Sequence, residues 1–367
     1  MTGPTDLDGA SAAPLHPAAR EVLLAALDRG YADPRRLHRP GREARLLLDN
    51  ARGATAEALG VRPDEVTFTP SGTHATHLGL LGLAARGLRD GLPLAHTAVE
   101  HSAVLHAARW GGEPLSVPVD HLGRVLPDGV PSAAAVMACQ AANHEVGTLQ
   151  PLAAVREQTD APLFVDACAS GGRLPLPEAW DAAALSAHKW GGPAGVGVLL
   201  VRKRARWHHP FPTDDRVDER STGFENVPAV LAAAAALQAV VAERDEVNAR
   251  QHALVDVVRR RVAAEVPDVE VVGDPDDRLP HLVTFSCLYV DGEALVTELD
   301  RRGFGIASGS ACTSSTLTPS HVLEAMGVLS HGNVRLSLQR DASRQQVDAF
   351  CDALPDVIAG LRSLVGL

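Results

Sequence analysis

The chain has 367 residues, 46% of them apolar, 4% aromatic and 22% charged, with a formal net charge of −11. That composition excludes a disordered or collagen-like chain, argues against nucleic-acid binding through bulk positive charge, and provides for one large domain or two ordinary ones around a substantial core. Of the 34 basic residues, two are lysines, Lys189 and Lys203.

Residues 1–17 carry acids and prolines and no apolar signal core. From about residue 60 to 205, short apolar runs at 66–68, 134–138, 162–167, 183–186 and 197–201 alternate with helix-like stretches. Runs that stay apolar instead of alternating predict strands buried on both faces, hence a mostly parallel sheet with helices on both sides. Residues 226–266 read as one long helix. Its apolar beginning, 227–241, is too short and too rich in alanine to span a bilayer, which takes ~20 apolar residues. Strands at 269–272 and 282–287, a helix at 292–302, a strand at 333–338 and a closing helix at 345–364 follow. The spacing predicts a large α/β domain over 15–250 and a smaller α+β domain built from 1–14 and 251–367. The ligand crevice is expected at the carboxyl ends of the large domain's strands. The five cysteines are odd in number, widely spaced and free of C-x-x-C pairs, which argues against disulfides and a structural zinc, so no metal is expected. The expectation is a soluble cytoplasmic protein.

Four segments carry chemistry. Residues 66–74 form a strand that breaks at Pro70-Ser71-Gly72 and re-enters as a helix at Thr73, a start suited either to a phosphate or simply to a capping hydroxyl from Ser71 or Thr73. Asp166 ends the buried run 162–167 and needs a cation there, such as a protonated pyridine nitrogen, a salt bridge or a helix cap. Lys189 follows Ser186 and His188 where another apolar strand ends. An enclosed lysine can lose its proton and form a Schiff base, whereas Lys203 sits between two arginines as a surface residue. Ser308-Gly309-Ser310-Ala311-Cys312-Thr313-Ser314 is a run of small residues around a thiol. Without large apolar neighbours, Cys312 reads as an accessible nucleophile or redox thiol, while Cys139, Cys287 and Cys351 read as buried small hydrophobes.

Taken together and in order, these segments resemble the cysteine desulfurases, pyridoxal-phosphate enzymes of fold type I in aminotransferase class V. The run 308–314, continued by Leu317-Thr318-Pro319-Ser320-His321, is similar to the family's long persulfide-forming loop. Ser186-x-His188-Lys189 resembles the cofactor-lysine motif, and Asp166 falls on the partner of the pyridine nitrogen. Glu100-His101 resembles the pair that sets a histidine over the cofactor ring, and Thr73, with Gly72 before it, falls on the phosphate-binding turn. Val334-Arg335-Leu336-Ser337 resembles the segment that clamps the substrate carboxylate, and Asn143-His144-Glu145 the stretch beside the substrate. The resemblance implies a seven-stranded-type large domain and pyridoxal 5'-phosphate bound by Lys189, Asp166, Thr73, Gly72, His101, Ser186 and His188. It further implies L-cysteine bound by Arg335, Asn143 and His144, catalysis by Lys189, His101 and Cys312, a persulfide passed to a sulfur-acceptor protein, and a homodimer. No nucleic acid and no membrane partner are expected.

Four departures bear on cofactor affinity and electronics. Ala169 stands where the family has a glutamine, and His144 where it has a second asparagine. Arg220-Ser221-Thr222-Gly223-Phe224-Glu225-Asn226 matches the family's R-x-G-T-x-N loop in no single register, and residues 7–14 lack its paired threonines. They leave two other readings open: a related C–S or selenocysteine lyase, and a fold that has lost catalysis and only binds partners.

Overall fold

The computed structural model describes residues 5–29, 32–216, 218–308, 319–364 and 366. After a short strand β1 (Thr5–Asp6), helices α1 (Pro17–Arg29) and α2 (Arg39–Leu59) lead into the main sheet. Its strands and the helices between them are β2 (Val66–Thr69), α3 (Gly72–Arg89), β3 (Leu94–Thr97), α4 (Ser102–Trp110), β4 (Leu115–Val117), β5 (Val136–Gln140), α5 (Leu152–Gln158), β6 (Leu163–Asp166), β7 (Ala182–Ser186) and β8 (Gly197–Val201). The seven strands lie in the order β2-β8-β7-β6-β5-β3-β4. From β7 through β4 every pair is parallel; β8 runs antiparallel to both β7 and β2. Strands β5, β6, β7 and β8 are buried along their whole lengths, as expected for a sheet covered on both faces.

The 39-residue α6 (Val227–Glu265) comes next, followed by β9 (Val269–Val272), β10 (Leu282–Cys287), α7 (Gly292–Arg301), β11 (Phe304–Gly305), α8 (His321–Met326), β12 (Asn333–Ser337) and α9 (Arg344–Leu364). Strands β12-β10-β9 form an antiparallel sheet, and β11 pairs in parallel with β1, so the first described residues join this part of the molecule. Among the described residues the buried apolar side chains form three large clusters, two of them on opposite faces of the large sheet and one in the smaller part. Residues Ala229 to Leu237 of α6 belong to the core beneath the large sheet, and Leu254 to Val262 to the core of the smaller one, which also takes in Leu7. Among the described residues α6 alone is long and apolar enough to cross a membrane, and half of its most apolar stretch is buried inside the protein.

The sheet at 269–287 and the closing helix fall within a residue of their expected bounds. The strand expected at 134–138 starts and ends two residues later, because its pairing with β6 sets Gln140 opposite Asp166. β3 and β4 are additions to the runs read from the sequence. Cys139, Cys287 and Cys351 are buried, as read.

Candidate functional site

At the carboxyl ends of β5, β6 and β7 opens a cavity of about 480 Å³, lined by Gly72, Thr73, His101, His144, Asp166, Ser186, His188, Lys189 and Arg335 among others. Each side chain is delivered by an element boundary. Gly72 and Thr73 open α3, where Ser71 is the cap and accepts from the His74 amide at 3.0 Å. The cap and the cavity wall therefore coexist in one turn. A Cβ at Gly72 would lie 2.6 Å from Cβ of Ser186 and 3.1 Å from Sγ of Cys168, so only glycine lets α3 start this close to the end of β7. Thr76, one turn along, lines the cavity with a buried hydroxyl that has no partner.

Asp166 is the last residue of β6, buried, with Oδ1 accepting from the Cys168 amide at 2.9 Å. Lys189 ends a single 3-10 turn, Ala187–Lys189, that leaves β7. Its Nζ donates to the Ala10 carbonyl at 2.5 Å. Burial, followed by the Arg335 guanidinium, holds the Lys189 ammonium below the ordinary lysine value, which eases loss of its proton. Ser186 Oγ and His188 Nδ1 are 3.0 Å apart.

His101 caps α4, its Nδ1 accepting from the Ala103 amide at 3.1 Å. That bond assigns the ring proton of the neutral form to Nε2. Burial lowers the His101 pKa, partly countered by the Asp166 carboxylate, which favours the neutral ring. His144 stands edge-on to His101 with ring centroids 5.1 Å apart, and burial keeps it neutral to well below the usual histidine range. Beneath them Glu100 is fully buried; Oε1 accepts from Thr97 Oγ1 at 2.5 Å and from the Gln140 amide at 2.8 Å, while Oε2 has no partner. Burial pushes the Glu100 carboxyl up to about 8, making it an uncharged acid at neutral pH.

Arg335, in the middle of β12, reaches the cavity already engaged. It donates to the His144 carbonyl at 3.0 Å, to Asp8 Oδ1 at 2.9 Å and to Ser11 Oγ at 2.7 Å, and its Nε is buried without a partner. Asn143 is placed otherwise than the remaining candidates. It is fully buried and its amide is used by the backbone: Oδ1 accepts from the Glu145 and Val146 amides at 2.8 Å each, and Nδ2 donates to the Val99 carbonyl at 3.1 Å. It holds the turn that carries His144, a turn that also requires a positive φ of 82° at Gly147. Cys312 lies outside the described residues, while Ser308 before it lines the cavity and Ser320 beyond it caps α8.

The structure adds residues that sequence reasoning passed over. Asp8 and Ser11 line the cavity, and their signal was only a short segment noted for what it lacked. Cys168 lines it too, its thiol pushed well up by burial and the Asp166 carboxylate. Ala169 leaves its stretch of wall apolar.

Residues 6–350 match the aminotransferase class-V family. The chain is 32% identical to the cysteine desulfurase IscS of Dictyoglomus turgidum over 98% of this chain and 95% of that one. It is 35% identical to the IscS-like cysteine desulfurase of Mycobacterium tuberculosis over 97% and 96%. The solved structure of a NifS-like protein superposes with a TM-score of 0.87 at 25% identity, covering 98% of this chain and all of the other. The chain belongs to the cysteine desulfurases of the class-V aminotransferase family.

Proposed function

We propose that the cavity converts L-cysteine to L-alanine with pyridoxal 5'-phosphate, and that Cys312 takes the sulfur as a persulfide for delivery to an acceptor protein. The observation that carries this reading is the convergence of Lys189, Asp166, His101 and Arg335, delivered by four separate elements, on one cavity. The residues fit the cofactor. The start of α3 offers backbone amides and the Thr73 side chain to its phosphate, and Gly72 lets that start sit close against Ser186. Asp166, buried at a strand end, places a carboxyl group suited to a pyridinium nitrogen, and burial lowers the pKa of Lys189. Bound there, the cofactor supplies an electron sink for carbanion chemistry at the substrate Cα.

The protein's own groups do the rest. Lys189 Nζ, its pKa lowered by burial, is the base for the Cα proton. Arg335 offers a planar pair of donors to the substrate carboxylate, and Asn143 fixes the turn that positions His144 beside it. His101 holds a proton at Nε2 near the reacting atoms, its Nδ1 being occupied by the helix cap. Cys312 as thiolate attacks the substrate sulfur: an S–S bond forms, the C–S bond breaks, and alanine leaves. The proposal carries with it the two-domain division at residues 15–250 and 1–14 with 251–367, a homodimer, and a cytoplasmic setting. The names of the relatives and the intact lysine, aspartate, arginine and histidine favour this reading over a selenocysteine or other C–S lyase and over an inactive scaffold.

The test is cysteine plus reductant, with alanine and sulfide measured together. Wild type is expected to form the two in equal amounts over many turnovers, and Cys312→Ala to lose turnover. Full sulfide release by Cys312→Ala would overturn the persulfide role.

A further inference from the structure

Glu145 lies between two parts of the site that the chain brings together from far apart. Its backbone is pinned on both sides: the amide donates to Asn143 Oδ1 at 2.8 Å and the carbonyl accepts from Thr284 Oγ1 of β10 at 2.6 Å. Its carboxyl is buried and faces two ways. Oε2 accepts from Ser320 Oγ at 2.5 Å, and Oε1 lies 3.8 Å from Nε2 of His144. Ser320 is the cap of α8, its hydroxyl also accepting from the Leu323 amide at 3.3 Å. A second tie joins the same helix start to the same wall, because His321 Nε2 is 2.9 Å from the Glu100 carbonyl. Both ties therefore end on the immediate neighbours of the two cavity histidines, Glu100 beside His101 and Glu145 beside His144.

We propose that Glu145 is a positioning residue whose carboxyl ties the helix start following the Cys312 segment to the turn that carries His144 on the cavity wall. This rests on the desulfurase reading given above. The carboxyl is buried beside His144 and Ser320, and burial raises its pKa while Ser320, His321 and Arg335 act in the opposite sense. The hydroxyl of Ser320 donates to one carboxyl oxygen, and the other faces the His144 ring at 3.8 Å. Such a device converts a spatial requirement of sulfur transfer into a local hydrogen bond: α8 starts, at Ser320, at a point set by the cavity wall.

The test is a double-mutant cycle of Glu145→Ala and Ser320→Ala on the full-length holoenzyme, with Glu145→Gln as the shape-conserving variant. The readouts are kcat and KM for alanine formation and amide hydrogen exchange in residues 321–326. Both alanine variants are expected to lower kcat by about tenfold to a hundredfold, the range of a misplacement of roughly an ångström. KM should change less than about twofold, since Arg335 is untouched. Exchange in α8 should accelerate in both, and the double variant should be no worse than Glu145→Ala alone. Glu145→Gln, which keeps an acceptor for Ser320, should stay near wild type in exchange. The proposal is overturned if the two substitutions add, or if Glu145→Ala lowers kcat with α8 exchange unchanged, which would make Glu145 a participant in the chemistry instead. If wild type forms no alanine, the desulfurase reading fails, while the exchange cycle still decides whether the tie exists.

Discussion

In the proposed reaction Lys189 is the residue on which the chemistry turns, and its environment is one in which an arginine could not take its place. Its Nζ is half enclosed, bonded to one backbone carbonyl and placed near Arg335, conditions that lower its pKa. A guanidinium in the same place would stay charged and could not act as a nucleophile or base. Lys189→Arg is therefore expected to fold, to show no visible absorbance band with added pyridoxal phosphate, and to lose alanine formation by at least about 10²-fold to 10⁴-fold, as removal of a positioned base does. An absorbance spectrum and an amino-acid analysis check both. At this scale the sequence was informative wherever a residue's chemistry was unusual for its neighbourhood: a lysine among arginines, an aspartate ending an apolar strand. It was silent on Asp8, Ser11 and Cys168, whose roles depend on which distant segment lies opposite. It placed Asn143 against the substrate, whereas the side chain is spent on the backbone of a turn.

Elements deliver these residues through their ends, and the tightest junction is between the start of α3 and the end of β7. A Cβ at Gly72 would stand 2.6 Å from Ser186 Cβ, closer than side-chain carbons come, and tight against Cys168 Sγ. Gly72→Ala must push α3 away from Ser186, moving the helix amides and Thr73 away from Lys189. The expected result is a soluble protein with pyridoxal phosphate affinity weakened by at least about tenfold, the equivalent of one good hydrogen bond to a charged group. Equilibrium titration followed at the cofactor band measures it. The strands of this sheet were readable because double-sided burial makes them apolar throughout. β3 and β4 escaped because they are short and carry His96, Thr97 and Ser116, so that their place comes from pairing alone.

The molecule as a whole folds around groups that are easier to bury uncharged, and that makes its stability depend on pH in two windows. His144 and His281, buried with pKa values well below 6.5, are neutral when folded and charge readily when unfolded. Their contribution is present above about pH 6.5 and is lost as pH falls below it. Glu100 works in the opposite sense. Its folded pKa of about 8 exceeds the unfolded value, so its contribution is complete below about pH 4.5 and declines as pH rises toward 8. Thermal melts should therefore show the midpoint rising from pH 5 to about 6.5, where several histidines outweigh the acid. Replacing Glu100 by Gln should flatten whatever decline wild type shows between pH 6.5 and 8. A Glu100→Gln curve parallel to wild type over that interval would contradict the burial of an uncharged acid. The long helix α6 and the strands on either side of it were legible in the sequence as an unbroken helical stretch between apolar runs. Residues 1–14 were expected with the smaller domain; the particular stitching there, the pairing of β1 with β11, was not legible, since β1 is two residues long.

That stitching has a consequence for ligand recognition. The segment 8–11 places Asp8 and Ser11 on the Arg335 guanidinium and the Ala10 carbonyl on Lys189 Nζ. Both cationic groups of the site thus have an internal surrogate for what they would otherwise meet. A carboxylate arriving at Arg335 competes with one supplied by the chain, and binding becomes an exchange of partners at nearly constant charge. Selectivity then rests on geometry, because a ligand gains only by fitting the fork better than Asp8 does.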